Sequence, residues 1–99
     1  MKTYCFDIDG TLCTNTKGSY KEAKPYYPRI EKANRLYKTG NKIILFTARG
    51  STTGIDWREF TKKQLKKWSV KYHKLIFGKP EAAIYIDDKG EKSDVFFKE

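Results

Sequence analysis

The sequence predicts an α/β domain built on a mainly parallel sheet. Three observations predict it. Short apolar runs alternate with runs of helical period, the pattern of parallel strands joined by helices. The run Lys42-Ile-Ile-Leu-Phe-Thr47 is apolar almost throughout, which suits a central strand buried on both faces. Polar residues able to do chemistry also collect just past strand ends, where open α/β sheets bind their ligands.

The elements follow in order. Residues 2–8 are rich in β-formers and run into Asp9-Gly10, so they read as the first strand. Residues 12–25 are polar and basic and read as a loop, long enough to be a lid or specificity loop. A helix is expected at 28–39. Pro28 suits its first turn, Ile30, Ala33, Leu36 and Tyr37 share one face, and Gly40 stops it. The second strand is 42–47, followed by Ala48-Arg49-Gly50 and a loop over 50–55. Asp56 reads as an N-cap, with Glu59 closing a capping box and Ile55 and Phe60 as a staple, for a helix over 57–68. Its core face is Trp57, Phe60, Leu65 and Trp68. Strands are expected at 73–77 and 82–86, each ending in a polar turn, and the 91–99 tail ends with Val95-Phe96-Phe97 as a short helix, an edge strand or a partner surface.

Composition narrows the class. The 99 residues allow one small domain, residues 1–99. Seven Tyr, six Phe and two Trp supply enough large side chains for its core. No apolar run reaches membrane-spanning length and the start lacks a signal-peptide layout, so a cytoplasmic location and no membrane partner are expected. Cys5 and Cys13 match no zinc or redox spacing; Cys5 reads as a buried strand residue and Cys13 as a loop thiol. His73, the one histidine, opens a strand and reads as structural. The net charge of +9 attracts anions, and Lys62, Lys63, Lys66 and Lys67 are either a solvated helix face or a polyanion surface.

Asp7 and Asp9 lie two apart at a strand end, so an extended backbone puts them on one side. Two carboxylates that close repel unless a proton or cation compensates them, and oxygen donors suit Mg²⁺. Taken singly, Asp87-Asp88 is also a common turn, and Lys79 before Pro80 is also a solvated loop lysine. Together at four strand ends they make a phosphoryl-transfer site. Asp7 and Asp87/Asp88 offer oxygens to Mg²⁺, Thr47 can bond a phosphoryl oxygen, and Lys79 supplies positive charge. Asp9 can protonate the leaving oxygen and then deprotonate water.

These residues resemble the motifs of the haloacid dehalogenase superfamily phosphatases. Asp7-Ile-Asp-Gly-Thr11 is similar to the first motif, Phe46-Thr47 to the second, Lys79 to the third and Asp87-Asp88 to the fourth. The resemblance implies a three-layer Rossmann-like fold with strand order 3-2-1-4. It implies Asp7 as nucleophile and Asp9 as general acid/base. Mg²⁺ would be held by Asp7, the main-chain carbonyl of Asp9, and Asp88, with Asp87 acting through water or on Lys79. The loops after Thr11 and Gly50 are too short for a cap domain, so the chain resembles capless members. Longer stretches look like small phosphatases of capsule and surface-polysaccharide synthesis, which implies a sugar phosphate or sugar-nucleotide substrate. Gly10, Thr11, Arg49, Asp56 and the 15–26 loop are candidate substrate contacts, with Asp56 favoured as the cap, and a homo-oligomer is a possible way to cover the open site. Two alternatives stand beside this reading: a polynucleotide 3′-phosphatase, in which nucleic acid is the partner, and a non-hydrolytic phospho-receiver or basic binding module.

Overall fold

The computed structural model describes residues 1–98. Three parallel strands form the sheet: β1 (Thr3–Phe6), β2 (Lys42–Thr47) and β3 (Lys74–Phe77), in the spatial order β1-β2-β3. Helix α1 (Tyr27–Lys38) joins the first two and α2 (Arg58–Lys67) the second pair, and the short α3 (Ser93–Phe96) ends the described chain. The five elements from β1 to β3 therefore match the expected order. Pro28 lies in the first turn of α1, as its fixed φ and missing N–H favour.

Register explains which face of the sheet is covered. Tyr4, Phe6, Ile43, Leu45, Leu75 and Phe77 occupy matched positions across the three strands, so they share one face. Phe6, Ile43 and Leu45 are buried on that face and join Ile30 and Ala33 of α1 and Leu65 of α2 in one core. The opposite face carries Cys5, Lys74 and Ile76, which are exposed. Both right-handed crossovers step the same way along the sheet, which puts both helices on the same side. The expectation of three layers is thus corrected to two, and β2 is fully buried on one face rather than both.

The expected fourth strand does not form. Residues 82–86 join no strand, and Ile84 and Ile86 are 73% and 93% exposed. Chain length gives the reason. Only residues 78–81 separate this run from β3, whereas a crossover back to a parallel position takes about a dozen residues or more. The order 3-2-1-4 is realised as 3-2-1. No stretch between the described elements folds into a cap.

The tail supplies different cover. Phe96 and Phe97 pack their rings on Phe6 at centroid distances of 5.6 and 5.8 Å, and Phe96 lies 5.9 Å from Tyr4. Lys32 of α1 sits 4.3 Å over the Phe96 ring, and Arg29 bonds Asp94 at 2.7 Å. Each aromatic pair adds about 0.5–1.5 kcal/mol beyond area burial. Of the three forms open to the tail, the short docked helix is the one observed; Glu99 lies outside the described residues.

Asp56 starts α2 as expected in chemistry, though not in position. Its Oδ1 accepts the Arg58 N–H at 3.0 Å and its carboxylate pairs with the Arg58 guanidinium at 2.8 Å. The helix begins at Arg58 with Trp57 at its boundary, so the Asp is one residue too early for the capping box, and Glu59 faces Lys62 at 3.8 Å instead. Arg58 beside it holds the Asp56 carboxyl down at about 2.

The turn ahead of α2 depends on one glycine. Gly50 has φ +82, and a Cβ there would lie 2.3 Å from the carbonyl oxygen of Ile55. Both the backbone angle and the close approach exclude a side chain. Gly50→Ala is therefore expected to lower stability by more than the ~1 kcal/mol of a simple helix or strand glycine change. A thermal melt checks it, with Gly54→Ala as the comparison: Gly54 also has positive φ but faces open space.

Candidate functional site

The carboxyl ends of the three strands place the site. After β1 the chain folds into a tight turn in which the Ile8 carbonyl accepts the N–H groups of Thr11, Leu12 and Cys13. Gly10 at φ +81 makes this turn possible, and its N–H donates to the Cys13 carbonyl at 2.8 Å. The turn is held from outside as well. Ser93 Oγ donates to the Gly10 carbonyl at 3.2 Å, and Arg29 Nη1 donates to the Thr11 carbonyl at 3.2 Å. The aspartates thus rest on a backbone braced by α1 and by the tail.

Asp7 keeps 35% of its side-chain surface exposed, and Lys79 Nζ lies 3.5 Å from its Oδ2. The Lys79 amide donates to the Thr47 carbonyl at 3.1 Å, which fixes this lysine against the end of β2. Its ammonium also sits 4.4 Å over the Tyr85 ring. Burial pushes the Asp7 carboxyl above its ordinary value, and the Lys79 charge opposes that rise without cancelling it.

Asp9 is held differently. Both its oxygens are bonded by Arg49: Nε to Oδ2 and Nη2 to Oδ1, each at 2.9 Å. This is the two-pronged arrangement that a planar guanidinium makes with a carboxylate. The Arg49 side chain is fully buried, while Asp9 keeps 16% exposure. Arg49 Nη1 also donates to Thr61 Oγ1 at 3.1 Å and to Gln64 Oε1 at 2.8 Å, both on α2. Tyr20 lies across the guanidinium at 4.5 Å, and Gln64 Nε2 donates to its carbonyl at 2.8 Å.

The expected site residues therefore divide into two groups. Asp7, Asp9, Gly10, Thr11, Thr47, Arg49 and Lys79 are gathered at the carboxyl ends of β1, β2 and β3. Thr47 is fully buried and its Oγ accepts the Arg49 N–H at 3.1 Å, so its hydroxyl has no open surface in this arrangement. Arg49, expected as a substrate contact, is committed to Asp9. Asp87 and Asp88 do not join the group. Both are exposed, and Asp87 accepts the N–H groups of Lys89 and Gly90 in a local turn. With no fourth strand, nothing carries them to the sheet end.

The donor chemistry bears on Mg²⁺. Among the described residues no three His, Cys, Asp or Glu side chains are grouped to hold a metal ion. What is gathered is the Asp7 carboxylate and the Asp9 main chain, hard oxygens on one turn. Oxygen donors of this kind are what Mg²⁺ takes: one or two carboxylates, retained waters and oxygens of a substrate phosphate.

The two cysteines exchange their expected places. Cys5 is exposed, because odd positions of β1 face the uncovered side of the sheet. Cys13 is fully buried, folded under the Asp turn, and its Sγ lies 3.5 Å from Asp9 Oδ1. Burial pushes its thiol up to about 12, with the Asp9 charge acting in the same direction. A thiol reagent at pH 8 is expected to titrate one cysteine in the native protein and both after denaturation. Two fast-reacting native thiols would contradict the buried placement.

Sequence reasoning missed Tyr20, Thr61 and Gln64. Thr61 and Gln64 are three apart on α2, hence on one helix face; Thr61 precedes the lysine run and Gln64 interrupts it. That interruption was the available signal. Tyr20 lies within the 15–26 loop expected to contact substrate, but only the fold brings its 3₁₀ turn (Tyr20–Glu22) over Arg49. His73 is structural as expected: its Nδ1 accepts the Ile43 N–H at 3.0 Å and its ring stacks on Tyr37 at 4.4 Å.

No described protein family and no curated protein matches the chain. Solved structures do. A structural-genomics target from Vibrio cholerae superposes with a TM-score of 0.87 and 27% identity, covering 100% of this chain and 89% of that one. Chains from two structures of the Pnkp1/Rnl/Hen1 complex, one described as an RNA repair complex, superpose with TM-scores of 0.61 and 0.60. Their identities are 24% and 22%, over 99% and 98% of this chain. This chain spans only 34% and 30% of their length. The likeness is one of fold. Among the described residues no helix is long and apolar enough to cross a membrane.

Proposed function

We propose that the protein is a phosphomonoester hydrolase working through an aspartyl phosphate on Asp7. One observation carries the reading: a partly exposed carboxylate lies 3.5 Å from a lysine, beside a second carboxylate that a buried arginine orients. In this reading an Asp7 oxygen attacks phosphorus, the phosphorus–ester oxygen bond breaks, and the leaving oxygen takes a proton from Asp9, which enters this step as the carboxylic acid and leaves it as the carboxylate. Water then attacks the phosphorus, giving its proton to Asp9, and the Asp7–phosphorus bond breaks to release phosphate. Lys79 offsets negative charge on the transferring group. Asp7 and the main-chain carbonyl of Asp9 are the groups that would hold Mg²⁺, whose charge would reduce repulsion between the nucleophile and the phosphate.

The test is turnover of p-nitrophenyl phosphate with Mg²⁺ and with chelator. Activity that needs the metal is expected; no turnover under either condition would overturn the reading.

The basic surface favours a second reading of the substrate, as the phosphorylated end of a polynucleotide. Lys62, Lys63, Lys66 and Lys67 are all exposed along α2, whose other face reaches the site through Thr61 and Gln64. The RNA repair complex among the structural neighbours is in keeping with it. A sugar phosphate remains the alternative drawn from the sequence resemblance. Competition by oligonucleotides that weakens steeply with salt would separate the two.

A further inference from the structure

The substrate role expected for Arg49 leaves its buried position unexplained. Its side chain has no solvent exposure and is enclosed by Asp9, Thr61, Gln64 and the Tyr20 ring. Four of its N–H···O contacts lie at 2.8–3.1 Å, and none reaches the open side of the site. Every one of them fixes the plane of the guanidinium. A guanidinium so fixed, bonded twice to Asp9, fixes the plane of that carboxylate in turn.

We propose that Arg49 is the positioning residue for Asp9, and that Gln64 and Tyr20 form the slot that holds it. The proposal rests on the phosphatase reading above. The fork engages both oxygens of Asp9, Cys13 Sγ lies 3.5 Å from Oδ1, and the 16% of the side chain that stays exposed is the face open to a leaving oxygen. Gln64 joins two parts of the slot, since its oxygen accepts from Arg49 and its nitrogen donates to the Tyr20 carbonyl. Tyr20 belongs to the loop between β1 and α1 and packs edge-on against Trp57 at 4.9 Å. The loop therefore contributes to the acid's orientation as a wall of the slot, without needing to touch substrate.

Positioning of a general acid has a signature that a structural role lacks. Protonation matters most when the leaving group is a poor one. An alkyl phosphate needs the proton, and p-nitrophenyl phosphate, whose leaving group is stable as an anion, needs it little. Arg49→Lys keeps the charge and loses the fork. It is expected to lower kcat on an alkyl phosphate by about 10²-fold, the low end of what general acid catalysis supplies. On p-nitrophenyl phosphate the loss is expected to stay within about 5-fold, with KM nearly unchanged on both. Gln64→Met removes one wall of the slot at similar size and is expected to shift the same ratio by about 10-fold. It carries the test if the lysine variant does not fold, as judged by circular dichroism. Equal losses on both esters, or an unchanged ratio in the folded variants, would overturn the positioning role and leave the phosphatase reading standing. A wild-type protein that hydrolyses neither ester would remove both.

Discussion

Asp7→Asn is expected to lower phosphomonoester turnover by at least about 10³-fold, since loss of a nucleophile removes the reaction path and leaves only binding and electrostatics. The same change should not cost stability at neutral pH. Burial holds the Asp7 carboxyl above its ordinary value of 3.8, so the folded chain binds this proton more tightly than the unfolded chain does. The contribution is then present below the ordinary carboxylate range and lost as pH rises through the raised value. At pH 7 the native protein carries an ionised group its surroundings disfavour. An amide carries no such charge, so the variant's melting temperature should equal or exceed that of wild type at pH 7. The gap should close as pH falls through the carboxylate range, where wild type becomes neutral too. Melts in chelator at pH 7 and pH 4 check the sign. An Asp7→Asn protein that retains full turnover would refute Asp7 as nucleophile, and one that is markedly less stable at pH 7 would refute the burial effect.

Which parts of this arrangement were legible in the sequence follows from the range of the forces involved. Strand β2 was read at its observed bounds because its signal is local: an apolar run bracketed by a lysine and a polar turn. Helix α1 shifted by one residue because Pro28 is tolerated anywhere in the first turn. The fourth strand misled for a different reason. Ala82-Ala-Ile-Tyr-Ile86 has the composition of a strand, but composition says nothing of whether the chain can reach a free edge. Connection length does, and four residues fall short of a crossover. The layer count went with it, since the third layer depends on a strand added at the far side of β1.

At the site, type was legible and commitment was not. Asp7, Asp9 and Lys79 could be placed together because each follows a strand end on one edge of the sheet. That Arg49 faces inward could not be seen, because an arginine in a polar turn reads as a surface cation. Its partners are 12 to 40 residues distant in sequence. Cys13 was hidden in the same way: the turn that buries it depends on bonds to Ile8 rather than on neighbouring composition.

The inward arginine yields the largest expected stability effect. Arg49→Met should destabilise the protein by about 3 kcal/mol, the lower end of the range for breaking a buried ion pair. The lower end applies because Asp9 retains some contact with water. The loss has two parts: Asp9 is left charged and without its fork, and the buried Thr61 hydroxyl loses its arginine donor. At roughly 4–8 °C per kcal/mol for a domain of this size, the melting temperature should fall by about 15 °C. The double variant Asp9→Leu/Arg49→Met should regain much of that, since an apolar pair carries no uncompensated charge. Removing the exposed pair between Glu59 and Lys62 at 3.8 Å is the control, and Lys62→Ala should shift stability by no more than about 0.5 kcal/mol. A double-mutant cycle then isolates the coupling between Asp9 and Arg49. A coupling no larger than the surface control would mean that the fork is not what holds Asp9. The same cycle thus decides whether the stability of this turn and the orientation of its acid have one physical source.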